Sequence, residues 1–170
     1  VASVHWVAGH IIDYKREHFD AAVAACGGLE ALAIRYYDTV AEMVQGLRPE
    51  IVGHLDLVRK MAPDTAAVET PAIQAAAFRA LDGIAASGAI LDVNTAALRK
   101  GQPCPYPAPW LVRAAQERGI PFCFGDDSHG VDQVAAGLPE ARQYLLELGV
   151  RQITVLGHAG GGLIRNTIPL

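Results

Sequence analysis

Four residues of this 170-residue chain combine types and positions suited to divalent-metal chemistry: His5, His54, Asp127 and His129. Each follows a short apolar stretch: His5 in ASVHWV, His54 in IVGHLDL, Asp127 and His129 in FCFGDDSH. In a parallel β/α arrangement the C-terminal strand ends and their loops converge on one face, so these side chains would meet there. Imidazole and carboxylate together suit Zn, Mn or Fe. Asp127 and His129 lie two apart, so on extended backbone both point the same way. Carboxylate, hydroxyl and imidazole directly after FCF are costly to bury without a purpose. A single His after an apolar strand is more often a hydrogen-bonded structural residue. Recurrence at three strand ends, with acids beside two of them, is what points to a metal cluster.

Other polar residues sit near the same ends. Arg99, one turn past ILDVN, could clamp a phosphate with its forked guanidinium, or could be a solvated loop charge. Arg59 and Lys60, after GHLDLV, are a second choice for that task, and Lys100 reads as solvated. Asn94 could bond to substrate or cap the following turn. Asp56 could orient His54 from behind. His10, His18 and His158 match none of these patterns. GHAGGG resembles a phosphate-cradling loop in composition only and reads as part of a flexible tail. No GxGxxG, GxxxxGK[ST], Cys-x5-Arg or DxDx motif occurs.

The elements that must position these residues alternate between strand and helix. Val1–Val7, Ala89–Asn94, Ile120–Gly125 and Val150–Leu156 read as strands, and Glu50–Leu57 as a short buried strand running into a loop. Between them, Leu29–Leu47 carries apolar residues at helical spacing. Thr70–Ser87 opens on an N-cap threonine with proline at the first helical position, and Gly88 stops it. Pro109–Arg118 and Leu138–Leu148 read as further helices. The order β, α, β, α, β, α, β, α, β predicts parallel βαβ units, as a barrel or a doubly wound sheet.

Composition narrows the class. The chain is 51% hydrophobic and 19% charged, with a net charge of -4. That supports one packed domain and excludes disorder. A basic stripe is missing and aromatics are only 6%, so nucleic acid is not an expected partner. No apolar run approaches the roughly 20 residues of a membrane span, so no membrane partner is expected. Three widely spaced cysteines without a CxxC pair point to a reducing, cytoplasmic setting. The first ten residues lack the features of a signal peptide.

SVHWV, YYDTVAEM, PEIVGHLDLVRK, LDVNTAALRKG and PYPAPWLVRAAQERGIPFCFGDDSH, in this order and spacing, resemble the histidinol phosphatases of the polymerase-and-histidinol-phosphatase (PHP) superfamily. The resemblance covers nearly the whole chain. It implies an α/β fold of parallel βα units, forming the C-terminal part of a distorted seven-stranded barrel of TIM-barrel-like, PHP type. It implies up to three divalent ions at the barrel mouth and hydrolysis of L-histidinol phosphate in histidine biosynthesis. By the same resemblance, His5 and His54 would ligate one metal, Asp127 a second and His129 a third, with Asp127 and His129 also acting in catalysis. Arg99 would contact the substrate, a small-molecule phosphate ester; for Asn94, substrate contact and turn capping both stay open.

The HxH motif with which that family opens is missing, and Val1 falls where the family is already a third or more through. The expectation is therefore a single-domain fragment that lacks the first strands, with little activity by itself and exposed barrel edges through which it could self-associate. Two other readings stand beside it: a PHP-family phosphoesterase with another substrate, and a non-catalytic truncated barrel module.

Overall fold

The computed structural model describes all 170 residues. Its centre is a three-stranded parallel sheet in the order β3 (Ile51–Val52), β4 (Ile90–Asn94), β5 (Phe122–Gly125). Leu91 pairs with Phe122, Asp92 with Cys123, Val93 with Phe124 and Asn94 with Gly125. Ala2 adds a parallel bridge to Val52 at the far edge. All five residues of β4 are buried, as expected of a central strand covered on both faces.

The helices that cover the sheet follow the sequence signals closely. Helix α2 (Leu29–Leu47) buries Leu32, Tyr36, Val40 and Val44, a stripe at i, i+4 spacing that faces the core. Helix α3 (Pro71–Ser87) starts where the Thr70 hydroxyl accepts from the Ile73 N–H at 3.4 Å, and stops at Gly88 in the left-handed region. Arg79 of α3 reaches Asp38 of α2 at 2.8 Å. A four-residue helix, α4 (Ala96–Arg99), follows β4 directly, and α5 (Pro109–Glu117) and α6 (Leu138–Glu147) flank β5 in the chain. A core of 37 buried residues joins these elements. No helix is long and apolar enough to cross a membrane.

Three expectations are corrected. Val1–Val7 is not one strand: β1 (Trp6–Val7) folds back on β2 (His10–Ile11) as a tight antiparallel hairpin. Ala8 and Gly9 both have positive φ, the backbone a two-residue turn requires, and that turn ends the extended run. Helix α1 (Arg16–Cys26) stands outside the expected elements, because it buries only Phe19 and Ala22 and its apolar stripe is sparse. The last strand does not extend the parallel sheet. Instead β6 (Gln152–Ala159) pairs antiparallel with β7 (Gly162–Pro169), and the supposed flexible tail is the second arm of this hairpin. Gly160 and Gly161, both with positive φ, form its two-residue turn.

Candidate active site

The β1–β2 hairpin sets the first part of the site. His5 lies just before it and Asp13 just after it, and the Ile12 N–H donates to the His5 carbonyl at 3.0 Å, which holds the two ends side by side. His5 Nδ1 and Asp13 Oδ2 are 3.1 Å apart. The Asp13 bond holds the His5 imidazole above its ordinary pKa. Burial works against the Asp13 charge, yet the His5 bond and the His5 and Lys60 charges keep its carboxyl below the usual range. Lys60 Nζ donates to the Asp13 carbonyl and lies 3.9 Å from Asp13 Oδ2.

His54 stands next to His5, the two rings meeting edge to face with centroids 5.0 Å apart. It follows β3 and takes a positive φ of 24°, a strained conformation for a residue with a side chain. Its ring is buried and Nδ1 has no hydrogen-bond partner. Burial, and then the His5 charge, lower its pKa to about 4, so the imidazole is neutral and can offer a lone pair. Tyr36 supports this turn from behind, its hydroxyl donating to the His54 carbonyl at 3.4 Å.

A buried carboxylate that sequence reasoning missed lies beneath His54. Asp92, on β4, is 5% exposed, and burial raises its pKa to about 6. Asn94 Nδ2 donates to its Oδ2 at 2.8 Å, the His54 main-chain N–H also favours its charge, and Oδ1 has no partner. A Cβ at Gly125 would sit 2.7 Å from the Asp92 Cγ, and one at Gly53 would overlap Ser3 Oγ. The glycines at the ends of β3 and β5 therefore make the space that Asp92 and Ser3 occupy. A polar residue inside an all-buried strand, flanked by glycines on both neighbouring strands, was the available signal.

Asp127 and His129 lie beyond β5 in a loop, so strand alternation is not what aims them. Asp127 has a φ of 49°, and the loop is tied down instead by Asp126, whose carboxylate accepts from the Ser128 N–H at 3.2 Å and the Ala135 N–H at 2.6 Å. Arg99 Nη2 donates to the carbonyls of Asp126 and Asp127 at 2.5 and 3.1 Å, and Lys100 Nζ is 3.5 Å from Asp127 Oδ2. His129 Nδ1 is 2.7 Å from the Asp127 carbonyl oxygen. A carbonyl only accepts, so this nitrogen carries the hydrogen and Nε2 is left with the lone pair.

His5, Asp13, Lys60, Arg99, Asp127 and His129 line one open cavity of about 750 Å³. His54, Asp92, Asn94 and Asp127 line an adjoining cavity of about 250 Å³. The four residues singled out for metal thus surround two cavities that share Asp127. No three His, Cys, Asp or Glu side chains stand close enough to hold an ion among themselves. The donor types and the partnerless His54 Nδ1 fit part of a divalent-metal shell.

Other expected residues take different work. Asn94 spends its amide on Asp92 and on the Ala96 N–H at 3.0 Å, the turn-capping alternative, while still lining the smaller cavity. Asp56 does not reach behind His54: it is buried against Arg59 at 2.8 Å and accepts from the Ala108 N–H at 2.8 Å. Arg59 is buried too, bonded to Gln102 and to the carbonyls of Cys104 and Pro105, with its guanidinium 4.5 Å from the Tyr106 ring centroid. It has no group left for phosphate. Lys60, its neighbour, is the one that reaches the cavity.

No family model matches the chain. Its curated relatives are consistent nonetheless. The probable histidinol-phosphatase of Schizosaccharomyces pombe is 31% identical over 96% of this chain and 56% of its own length. The histidinol-phosphatase of Bacillus subtilis is 31% identical over 72% of this chain and 48% of its own length. The crystal structure of a Listeria monocytogenes protein assigned as a histidinol phosphatase superposes with a TM-score of 0.71 at 29% identity. That match covers 81% of this chain and 56% of the other. The chain belongs to the histidinol-phosphatase family. It spans about half the length of the curated histidinol-phosphatases it matches.

Proposed function

We propose that this chain provides the C-terminal part of a cytoplasmic histidinol-phosphatase, a metal-dependent hydrolase that converts L-histidinol phosphate to L-histidinol and phosphate. The observation that carries the reading is the meeting of His5, His54, Asp127 and His129 around adjoining cavities, in a chain whose relatives bear that name. His5, His54, Asp127 and His129 would hold divalent ions, Zn, Mn or Fe, together with ligands from the length the relatives have in addition. Divalent ions bound there supply the Lewis acidity and the activated water that phosphate-ester hydrolysis needs.

The chain's own residues have distinct tasks in this scheme. Lys60, Arg99 and Lys100 bring three positive charges to the rim of the larger cavity, where an ester phosphate would be oriented and its charge offset. Arg99 can serve both the loop and the ligand: Nη2 holds the Asp126 and Asp127 carbonyls, and its other nitrogens remain for phosphate oxygens. Asp127 and His129 flank the same space, where either could take a proton from the attacking water and pass it to the departing alkoxide as the new P–O bond forms and the ester P–O bond breaks. The short sheet, whose β3 edge is met only by the single Ala2 bridge, is compatible with a seven-stranded barrel completed by further strands, or with self-association through the segment around Ala2.

Phosphate release from L-histidinol phosphate tests this, measured beside a panel of other phosphate monoesters with Mn²⁺ or Zn²⁺ added. It uses the 170-residue chain and the longest natural chain that contains it. Preference for L-histidinol phosphate, lost in both His54→Ala and Asp127→Ala, is the expected result. Wild-type turnover in either variant would refute the site. Preference for another ester would refute the substrate.

A further inference from the structure

We propose that Asp13 is a positioning residue: it holds the His5 imidazole as the Nδ1–H tautomer and so turns the Nε2 lone pair towards the cavity shared with Asp127 and His129. This deepens the proposed function, because the metal-ligand task of His5 belongs to that reading.

The argument is one of hydrogen counting. A neutral imidazole carries one N–H, and only the other nitrogen can ligate a metal. His5 Nδ1 faces Asp13 Oδ2 at 3.1 Å. An ionised carboxylate has no hydrogen to give, so the hydrogen between them belongs to Nδ1. Two features keep Asp13 in that role. The β1–β2 hairpin fixes His5 and Asp13 side by side through the Ile12–His5 main-chain bond, and Lys60 supplies positive charge 3.9 Å from the carboxylate. His129 reaches the same tautomer with a different acceptor, the Asp127 carbonyl at 2.7 Å. A ligating His whose second nitrogen donates to carboxylate or carbonyl is how metal sites fix ring orientation, and losing that partner typically weakens metal binding about 10- to 100-fold.

The test needs no turnover. The 170-residue chain, labelled with ¹⁵N in histidine, is examined by long-range ¹H–¹⁵N correlation at a pH about two or more units above the ordinary imidazole value. The wild type should show His5 and His129 both as Nδ1–H. Asp13→Asn can offer an amide N–H to Nδ1, so His5 alone should swap to Nε2–H while His129 stays as an internal control. Asp13→Ala should leave His5 a mixture of the two, and it carries the test if Asp13→Asn does not fold. Zn²⁺ added to the wild type should shift His5 Nε2 first, with the midpoint moved about 10-fold or more upward in Asp13→Asn. A wild-type His5 in the Nε2–H form, an unchanged tautomer in both variants, or a Zn²⁺ response that avoids His5 Nε2 overturns the inference. Should the tautomers behave as expected while no form of the protein hydrolyses L-histidinol phosphate, the activity reading falls and the Asp13 assignment stands.

Discussion

Replacing Arg59 by methionine should damage folding rather than substrate binding. The side chains of Arg59 and Asp56 are 2% and 3% exposed, and their 2.8 Å contact is the only charge neutralisation available to either. Methionine fills much of the stem's volume but removes the bonds to Asp56, Gln102, Cys104 and Pro105 and the stacking on Tyr106. Asp56 would then be a buried carboxylate held by main-chain N–H groups alone, those of Ala108 and of Asp56 itself. Breaking a buried pair from one side costs about 3 to 5 kcal/mol. For a chain of this size that is a fall of roughly 6 to 20 °C in Tm. Urea unfolding of Arg59→Met, Asp56→Asn and the double variant measures it. Since Asp56→Asn removes the orphaned charge while keeping an oxygen for Ala108, the double variant should lose less than the sum, with coupling of roughly 1 to 3 kcal/mol. A loss below about 1 kcal/mol in Arg59→Met would mean the pair behaves as an exposed one, and the reasoning would fail.

Gly125→Ala should cost about 1 to 3 kcal/mol, because its Cβ must displace the Asp92 carboxylate; an unchanged urea midpoint would show that Asp92 can move aside freely. His54 and Asp92 should give opposed acid responses in the metal-free chain: with a folded pKa of about 4, below its ordinary value of 6.5, His54 lowers stability as pH falls through that window, whereas Asp92, raised from 3.8 to about 6, increases it. Asp92→Asn should therefore make thermal unfolding more acid-sensitive between those values and His54→Gln less so, and identical pH slopes in the two variants would contradict this. Arg99→Ala should loosen the Asp127–His129 loop, seen as faster amide exchange at Ser128 and Ala135, with β4 unaffected; equal protection in both proteins would mean the two carbonyl bonds do not restrain the loop.

Much of this molecule could be read from local chemistry. The limits of α2 and α3 follow from apolar spacing, the Thr70–Pro71 start and the Gly88 stop, all short-range effects that act within one turn of helix. The parallel pairing of β3, β4 and β5 follows from alternating strands and helices. His5, His54, Asp127 and His129 were visible as unlike residues at the ends of apolar runs. What depended on tertiary structure was every side-chain contact between distant residues. Asp13 and Asp92 look unremarkable in sequence, and only the hairpin register and the glycine slot show what each touches. Arg59 and Arg99 both follow strand ends, and both could have served phosphate. One is sealed into a buried ion pair and the other lines the cavity, a distinction set by which loop closes over which side chain. The β6–β7 hairpin departs from the expected parallel strand for the same reason: an apolar, β-branched stretch signals a strand, but whether its partner is the core sheet or the next segment is decided by the turn at Gly160–Gly161 and by what edge remains to be paired.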